Sequence, residues 1–270
     1  TNTYLLGTTD IAVIDPGPID ATHLEAICAA IGPGQRLSHI IVTHSHLDHS
    51  PLASPLAQRM GAPVLAFGTA TAGRSAVMAQ LAATGMVSGG EGIDHDFTPD
   101  QTLADGEVIR AEGWSLRVIH TPGHLGNHIA LGWGTRCFTA DHVMGWATSI
   151  VSPPDGDLTD FMASCQRLRA QEWEVFYPGH GAPVTDTAAR LDWLIAHRQS
   201  RETAILDQLA KGPATAITLA RAIYTETPAA LLPAATRNVL AHLVDLTLKN
   251  QAGPIGPLSE TARFQLIPGA

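Results

Sequence analysis

The sequence predicts an α/β protein with a small helical appendage at its C-terminal end. Three observations carry this reading. Short apolar strands alternate with helical segments over the first 65 residues, a second set of short strands with an intervening helix follows from Thr102, and beyond Gly181 the pattern turns helical. With 45% hydrophobic and 15% charged residues, a chain of 270 residues buries a sizeable core, because disorder requires low hydrophobicity and dense charge.

In chain order, residues 3–6 and 11–14 read as strands, the Asp15-Pro16-Gly17-Pro18 turn follows, and residues 20–31 form a helix opened by an aspartate. The β-branched run 39–43 is a strand. Residues 51–60 are a helix closed by Gly61, 63–67 a strand, and a helix lies within 70–83 ahead of a loop that extends to Asp96. The second half gives strands at 108–111, 116–120, 128–132, 137–140 and 175–177, with a helix over 160–170 between the last two. Helical spacing of Leu191, Leu194, Ile195, Ile205, Leu206 and Leu209 marks the next helix. Shorter helices at 217–224 and 235–249 and a strand at 264–267 complete a winged-helix-like unit, so the domains divide as 1–195 and 196–270.

Sixteen Lys plus Arg oppose 25 Asp plus Glu, and only Lys211 and Lys249 are lysines. The acid excess lies before residue 200, where ten basic residues face twenty acidic ones. An extended nucleic-acid surface is not expected, since phosphate binding draws on clustered Lys and Arg. Cys28, Cys137 and Cys165 lie far apart and read as buried thiols rather than a disulfide or zinc framework. No apolar run reaches the length that spans a bilayer, so the expectation is a soluble cytoplasmic protein without a membrane partner.

Thirteen histidines are many for this length, and five of them gather where strands run out. Thr43-His44-Ser45-His46-Leu47-Asp48-His49 follows the 39–43 strand. Alternate residues His44 and His46 can face one way while Asp48 and His49 project elsewhere as the chain turns, so one segment can serve two adjacent metals. His124 in Thr121-Pro122-Gly123-His124, Asp141 after the 137–140 strand, and His180 in Tyr177-Pro178-Gly179-His180-Gly181 each end an apolar run. Imidazole and carboxylate donors suit zinc, the first expectation, and also iron or manganese.

HxHxDH followed by spaced His, Asp and His resembles the metallo-beta-lactamase superfamily over roughly residues 1–186. The resemblance implies a four-layer αββα sandwich with a dinuclear centre at one sheet edge. His44, His46 and His124 would then form one metal site and Asp48, His49 and His180 the other, with Asp141 bridging and Asp15 supporting the ligands from behind. Such a pair of divalent ions brings the pKa of bound water from ~15.7 toward neutrality and makes hydroxide the nucleophile. Asp48 is the candidate carrier of a proton to the leaving group. True class B β-lactamases commonly have cysteine where Asp141 stands, so the resemblance favours the wider hydrolase branch. The glyoxalase II ligand set is shared without its basic, aromatic tail.

Within the superfamily, the Tyr177-Pro178-Gly179-His180-Gly181 turn, His197-Arg198-x-x-Arg201-Glu202 and the tail are similar to the beta-lactamase-like protein 2 group, which includes a single-stranded RNA endonuclease. The expected reaction is hydrolysis of an ester, thioester, lactone or phosphodiester, with a small-molecule or RNA substrate. The alternatives are an RNA endonuclease, with the tail as a nucleic-acid or partner module, and a mono-iron oxygenase acting on persulfides. Retention of all seven ligands argues against the last. His142 and Trp146 are candidates for the site's surroundings, as are His120 and His128. Arg198, Arg201 and Arg237 are candidates for phosphate contact, while His23, His39, His95, His197 and His242 read as structural.

Overall fold

A computed structural model of the chain describes residues 1–87 and 92–268. Two five-stranded sheets pack face to face. The first is ordered β1 (Tyr4–Leu6), β2 (Asp10–Ile14), β3 (Arg36–Ile41), β4 (Val64–Ala66), β5 (Gln101–Thr102). The second runs from β10 (Val175–Pro178) through β9 (Arg136–Ala140), β8 (Ile129–Trp133) and β7 (Trp114–His120) to β6 (Val108–Ala111). Both are mixed: β2, β3 and β4 run parallel, as do β9 and β10, while the remaining neighbours of the second sheet are antiparallel.

Alternation along the strands builds the layers. Ala12, Ile14, Ile41 and Leu65 meet Leu116, Val118, Ile129, Leu131 and Phe138 between the sheets. The opposite faces, through Val13, Ile40, Val42 and Val64, cover α1 (Ala21–Ala30) and α2 (Ala53–Met60). On the far side, Ile119, Ala130, Cys137 and Phe176 pack on α4 (Leu158–Arg169) and α5 (Thr187–Leu209). The four layers are therefore α, β, β, α, as the resemblance implies. α3 (Ala76–Ala83), capped by Ser75, packs Met78 and Leu81 against Val244 in the C-terminal helical segment.

The C-terminal unit closes its own core. Ile205 and Leu209 of α5, Leu219 of α6 (Ala216–Ile223) and Val239, Leu240, Leu243 and Leu246 of α7 (Leu232–Leu248) surround Phe264. Phe264 belongs to a small sheet ordered β11 (Ala214–Thr215), β13 (Arg263–Leu266), β12 (Ala252–Pro254), which is the wing. α5 continues unbroken through residue 195.

Several element ends differ from the sequence reading. β3 starts at Arg36 and stops at Ile41 instead of spanning 39–43, because the Asp15 carboxylate takes the Thr43 backbone N–H and pulls the chain out of the ladder. The helix within 70–83 occupies only Ala76–Ala83, and residues 88–91 of the loop expected after it lie outside the described residues. β5, β11 and β12 have no counterpart in the sequence reading; strands of two or three residues are too short to show a periodicity.

Gly123 shows why the turn before His124 needs glycine. Its φ of +137° is one that side chains rarely adopt, and a Cβ there would collide with the Phe161 backbone in the first turn of α4. Gly123→Ala is expected to lower unfolding stability by about 2–4 kcal/mol, read as a reduced urea midpoint at unchanged m-value; wild-type stability would show that the close approach is unimportant.

Candidate metal centre

Donor-bearing side chains collect where strands of both sheets end, and hydrogen bonds aim them before any ion is considered. Asp15, at the end of β2 with φ 51°, accepts from Thr43 N (2.8 Å), Thr43 Oγ1 (2.7 Å) and His49 Nδ1 (2.9 Å). One buried carboxylate thus turns the HxHxDH segment off the sheet and points His49 Nε2 inward. The segment is pinned from its other side by Asn127, whose amide donates to Ser45 Oγ and the Thr69 carbonyl, and by a bridge between His46 and Ile93.

Ring tautomers follow from these partners. His124 Nδ1 donates to the Ile150 carbonyl at 2.7 Å. Thr43 Oγ1 has its own proton on Asp15, so it accepts from His44 Nδ1 at 3.0 Å. Both rings therefore present a bare Nε2, and both face His46 Nδ1, at 3.0 Å from His44 and 3.1 Å from His124. His46 Nδ1 can donate to only one of them. Burial drives His44 well below the usual imidazole range, and burial followed by the neighbouring His124 takes His46 down to about 3. They are held neutral, the form that ligates metals.

A second cluster adjoins the first. Asp48 Oδ2 lies 3.0 Å from His180 Nε2 and 3.3 Å from His49 Nε2. Asp141 Oδ1 is 3.4 Å from His49 Nε2, and its Oδ2 is 3.3 Å from His180 Nε2 and 3.8 Å from His124 Nε2, so this carboxylate reaches both clusters. Burial alone would raise both carboxyls. Against it, His180, His49 and the Thr1 hydroxyl hold Asp48 far below the usual range, and the charge of His49 with bonds from His180 does the same for Asp141. Hydrogen bonds to Asp141 and Asp48 push His180 up to about 9; burial works against charge on His49, but Asp15 and Asp141 keep it well above the usual value.

All seven expected residues come together. Their donor atoms form three overlapping sets able to hold a cation, His44/His46/His124, His44/His49/Asp141 and Asp48/His49/His180, each within 4.8 Å. The donor set fits divalent ions. Nitrogens around a tetrahedral zinc stand about 3.3 Å apart, close to the spacing in the first cluster, and Asp48 Oδ1, Asp141 Oδ1 and His49 Nε2 are buried without hydrogen-bond partners. Buried polar atoms are ordinarily satisfied.

A cavity of about 450 Å³ opens beside Asp141, His124 and His180. Trp146 lies on its rim against Gly181, and the far wall comes from the C-terminal unit, including Tyr224, Leu231 and Asn238. Other candidates turn away. His142 packs on Phe161 and Cys165, and His120 stacks on Phe67. His128 bonds Thr121 behind His44. Arg198 is buried and donates to Asn238 and the Ser149 carbonyl, Arg201 lies over the Tyr224 ring, and Arg237 engages Ser152, Glu260 and backbone carbonyls. Sequence reasoning missed Asn127 and Ser149, whose hydroxyl bonds the Asp141 carbonyl. A lone amide and a loop serine carry no pattern that would single them out.

Residues 1–180 match the metallo-beta-lactamase superfamily, and residues 215–252 match the beta-lactamase associated winged helix domain. The chain belongs to the metallo-beta-lactamase superfamily. It is 30% identical to a beta-lactamase-like protein 2 homolog from Drosophila melanogaster, over 91% of this chain and 82% of that one. It is 28% identical to an atrochrysone carboxyl ACP thioesterase from Aspergillus fumigatus, over 92% and 75% of the two chains. The crystal structure of a metallo-beta-lactamase family protein from Thermus thermophilus superposes with a TM-score of 0.77 at 27% identity, covering 98% of this chain and 93% of that one.

Two outcomes are expected. Asp15→Asn weakens divalent-ion binding by about 10–100-fold while the far-ultraviolet circular dichroism stays native, as read by competition with a coloured chelator; unchanged affinity would remove the orienting role of Asp15. Because His180 carries a proton up to about pH 9, a cation entering its cluster must displace that proton, so affinity rises between pH 6 and 9 by up to about tenfold per unit for each proton released. Titrations at pH 6, 7 and 8 that give one common affinity would contradict this.

Proposed function

We propose that the protein is a dinuclear metal-dependent hydrolase that cleaves an acyl ester or thioester. The observation that carries the reading is the pair of bare imidazole nitrogens, on His44 and His124, meeting His46 Nδ1 beside two carboxylates, Asp48 and Asp141, that each keep one buried oxygen, Oδ1, outside any hydrogen bond. In this reading His44, His46 and His124 would hold one ion and Asp48, His49 and His180 the other, with Asp141, which reaches both clusters, available to both. Zinc is the first choice, with iron or manganese as alternatives. Divalent cations bound there would supply an acidified water as nucleophile and polarisation of the scissile carbonyl.

The chain's own groups do the rest. Asp15, Thr43 and the Ile150 carbonyl lock the ring orientations, so little reorganisation accompanies substrate binding. Asp48, whose Oδ2 stays with His49 and His180, is the carboxylate that would take the proton released by the attacking water and pass it to the leaving group. The cavity next to Asp141 and His180 takes the substrate.

Acyl transfer is favoured over phosphodiester cleavage because no lysine or arginine is found among the described residues lining the cavity. A thioesterase among the relatives adds support. The test is hydrolysis of ester, thioester, lactone and single-stranded RNA substrates by protein purified without added metal. Acyl substrates are expected to turn over, activity to vanish with chelator and return with zinc, manganese or iron, and Asp141→Asn to lose about a hundredfold or more in kcat/KM. Chelator-sensitive cleavage of RNA alone, or of no substrate, would overturn the reading.

A further inference from the structure

We propose that the cavity at the junction of the sandwich and the C-terminal helices is an acyl-group pocket, and that the N-terminal end of α7 sets the size of acyl group accepted. This rests on the hydrolase reading above and adds the chemistry of the group whose bond is cleaved. The cavity, about 450 Å³, lies in the range of small-molecule sites. One end holds His124, Asp141 and His180, so a carbonyl placed there leaves its chain pointing toward Ile150, Tyr224, Leu231, Ala234 and Ala235.

Three features argue that the occupant is apolar. Trp146 and Leu231, 72% and 55% exposed, stand on the lining as large apolar side chains open to solvent. Away from the metal cluster, the polar groups on the lining are neutral: Thr148, Thr227, Asn238 and the Tyr224 phenol. Asn238 is already engaged, since its Oδ1 accepts from Arg198 and Val151 N and its amide donates to the Ala234 carbonyl.

The arginines nearby do not serve as anion contacts. Arg190 donates to the Ala147 carbonyl, Arg198 to the Ser149 carbonyl and Arg237 to the Pro153 carbonyl. Three guanidinium groups from α5 and α7 are spent clamping the loop that carries Trp146, Thr148 and Ile150, and they hold it as a fixed wall. The C-terminal unit thereby becomes part of the substrate site, by shaping the loop and by supplying the α7 face opposite it.

The test is steady-state hydrolysis of N-acetylcysteamine thioesters from acetyl to decanoyl by the metal-loaded full chain and its Ala234→Leu variant, with octanoate binding followed by titration. For the wild type, kcat/KM is expected to rise by about two- to fourfold per methylene until the cavity is full, mainly through KM. In Ala234→Leu the rise stops at a shorter chain and octanoate binding weakens at least about tenfold. No dependence on chain length, or the same cut-off in both proteins, would overturn the pocket assignment. If neither these thioesters nor any ester or lactone is cleaved, the hydrolase reading fails separately: octanoate binding that Ala234→Leu weakens would still support the pocket, and absent or variant-insensitive binding would overturn it.

Discussion

The structure depends on a concentration of unprotonated donor atoms in a dry place. His44 and His124 donate their Nδ1–H groups to the Thr43 hydroxyl and to the Ile150 carbonyl, which leaves Nε2 lone pairs converging on His46. Lone pairs at this distance repel unless a proton or a cation lies between them, and a desolvated interior magnifies the cost. Burial disfavours the proton, as the depressed pKa values of His44 and His46 show. A cation among these donors would relieve that repulsion, and the buried His and Asp groups are consistent with the metal site of the superfamily.

How the fold does so explains its glycines. The His124 turn runs against the first turn of α4, and the His180 turn runs against Asp141. A Cβ on Gly179 would strike the Asp141 carboxylate, and one on Gly123 would strike Phe161. The two Pro-Gly-His turns are sites where backbone must pass close to a ligand or to the helix that supports it. Packing and chemistry are thus joined at the same residues.

Much of this was readable from residue order. HxHxDH after a β-branched run, with His and Asp at later strand ends, points to one cation-binding edge because strand ends in a layered α/β fold lie together. The layer order came through the resemblance those residues carry. What was not readable depends on contacts between distant segments. Arg198 is a candidate for phosphate contact by sequence, yet it is 2% exposed and bonded to Ser149 and Asn238. His142 neighbours Asp141 in sequence but packs against Phe161, because Ala140 takes a left-handed φ of 42° just before the two diverge. The short strands of the wing had no periodicity to detect.

Anomalous X-ray scattering from crystals of the protein purified without added metal tests the central claim most directly. The account predicts two peaks about 3.5–4 Å apart, one among His44, His46 and His124 and one among Asp48, His49 and His180, with Asp141 between them. A density map with no bound metal in this cluster, or with these side chains splayed away from one another, would contradict it.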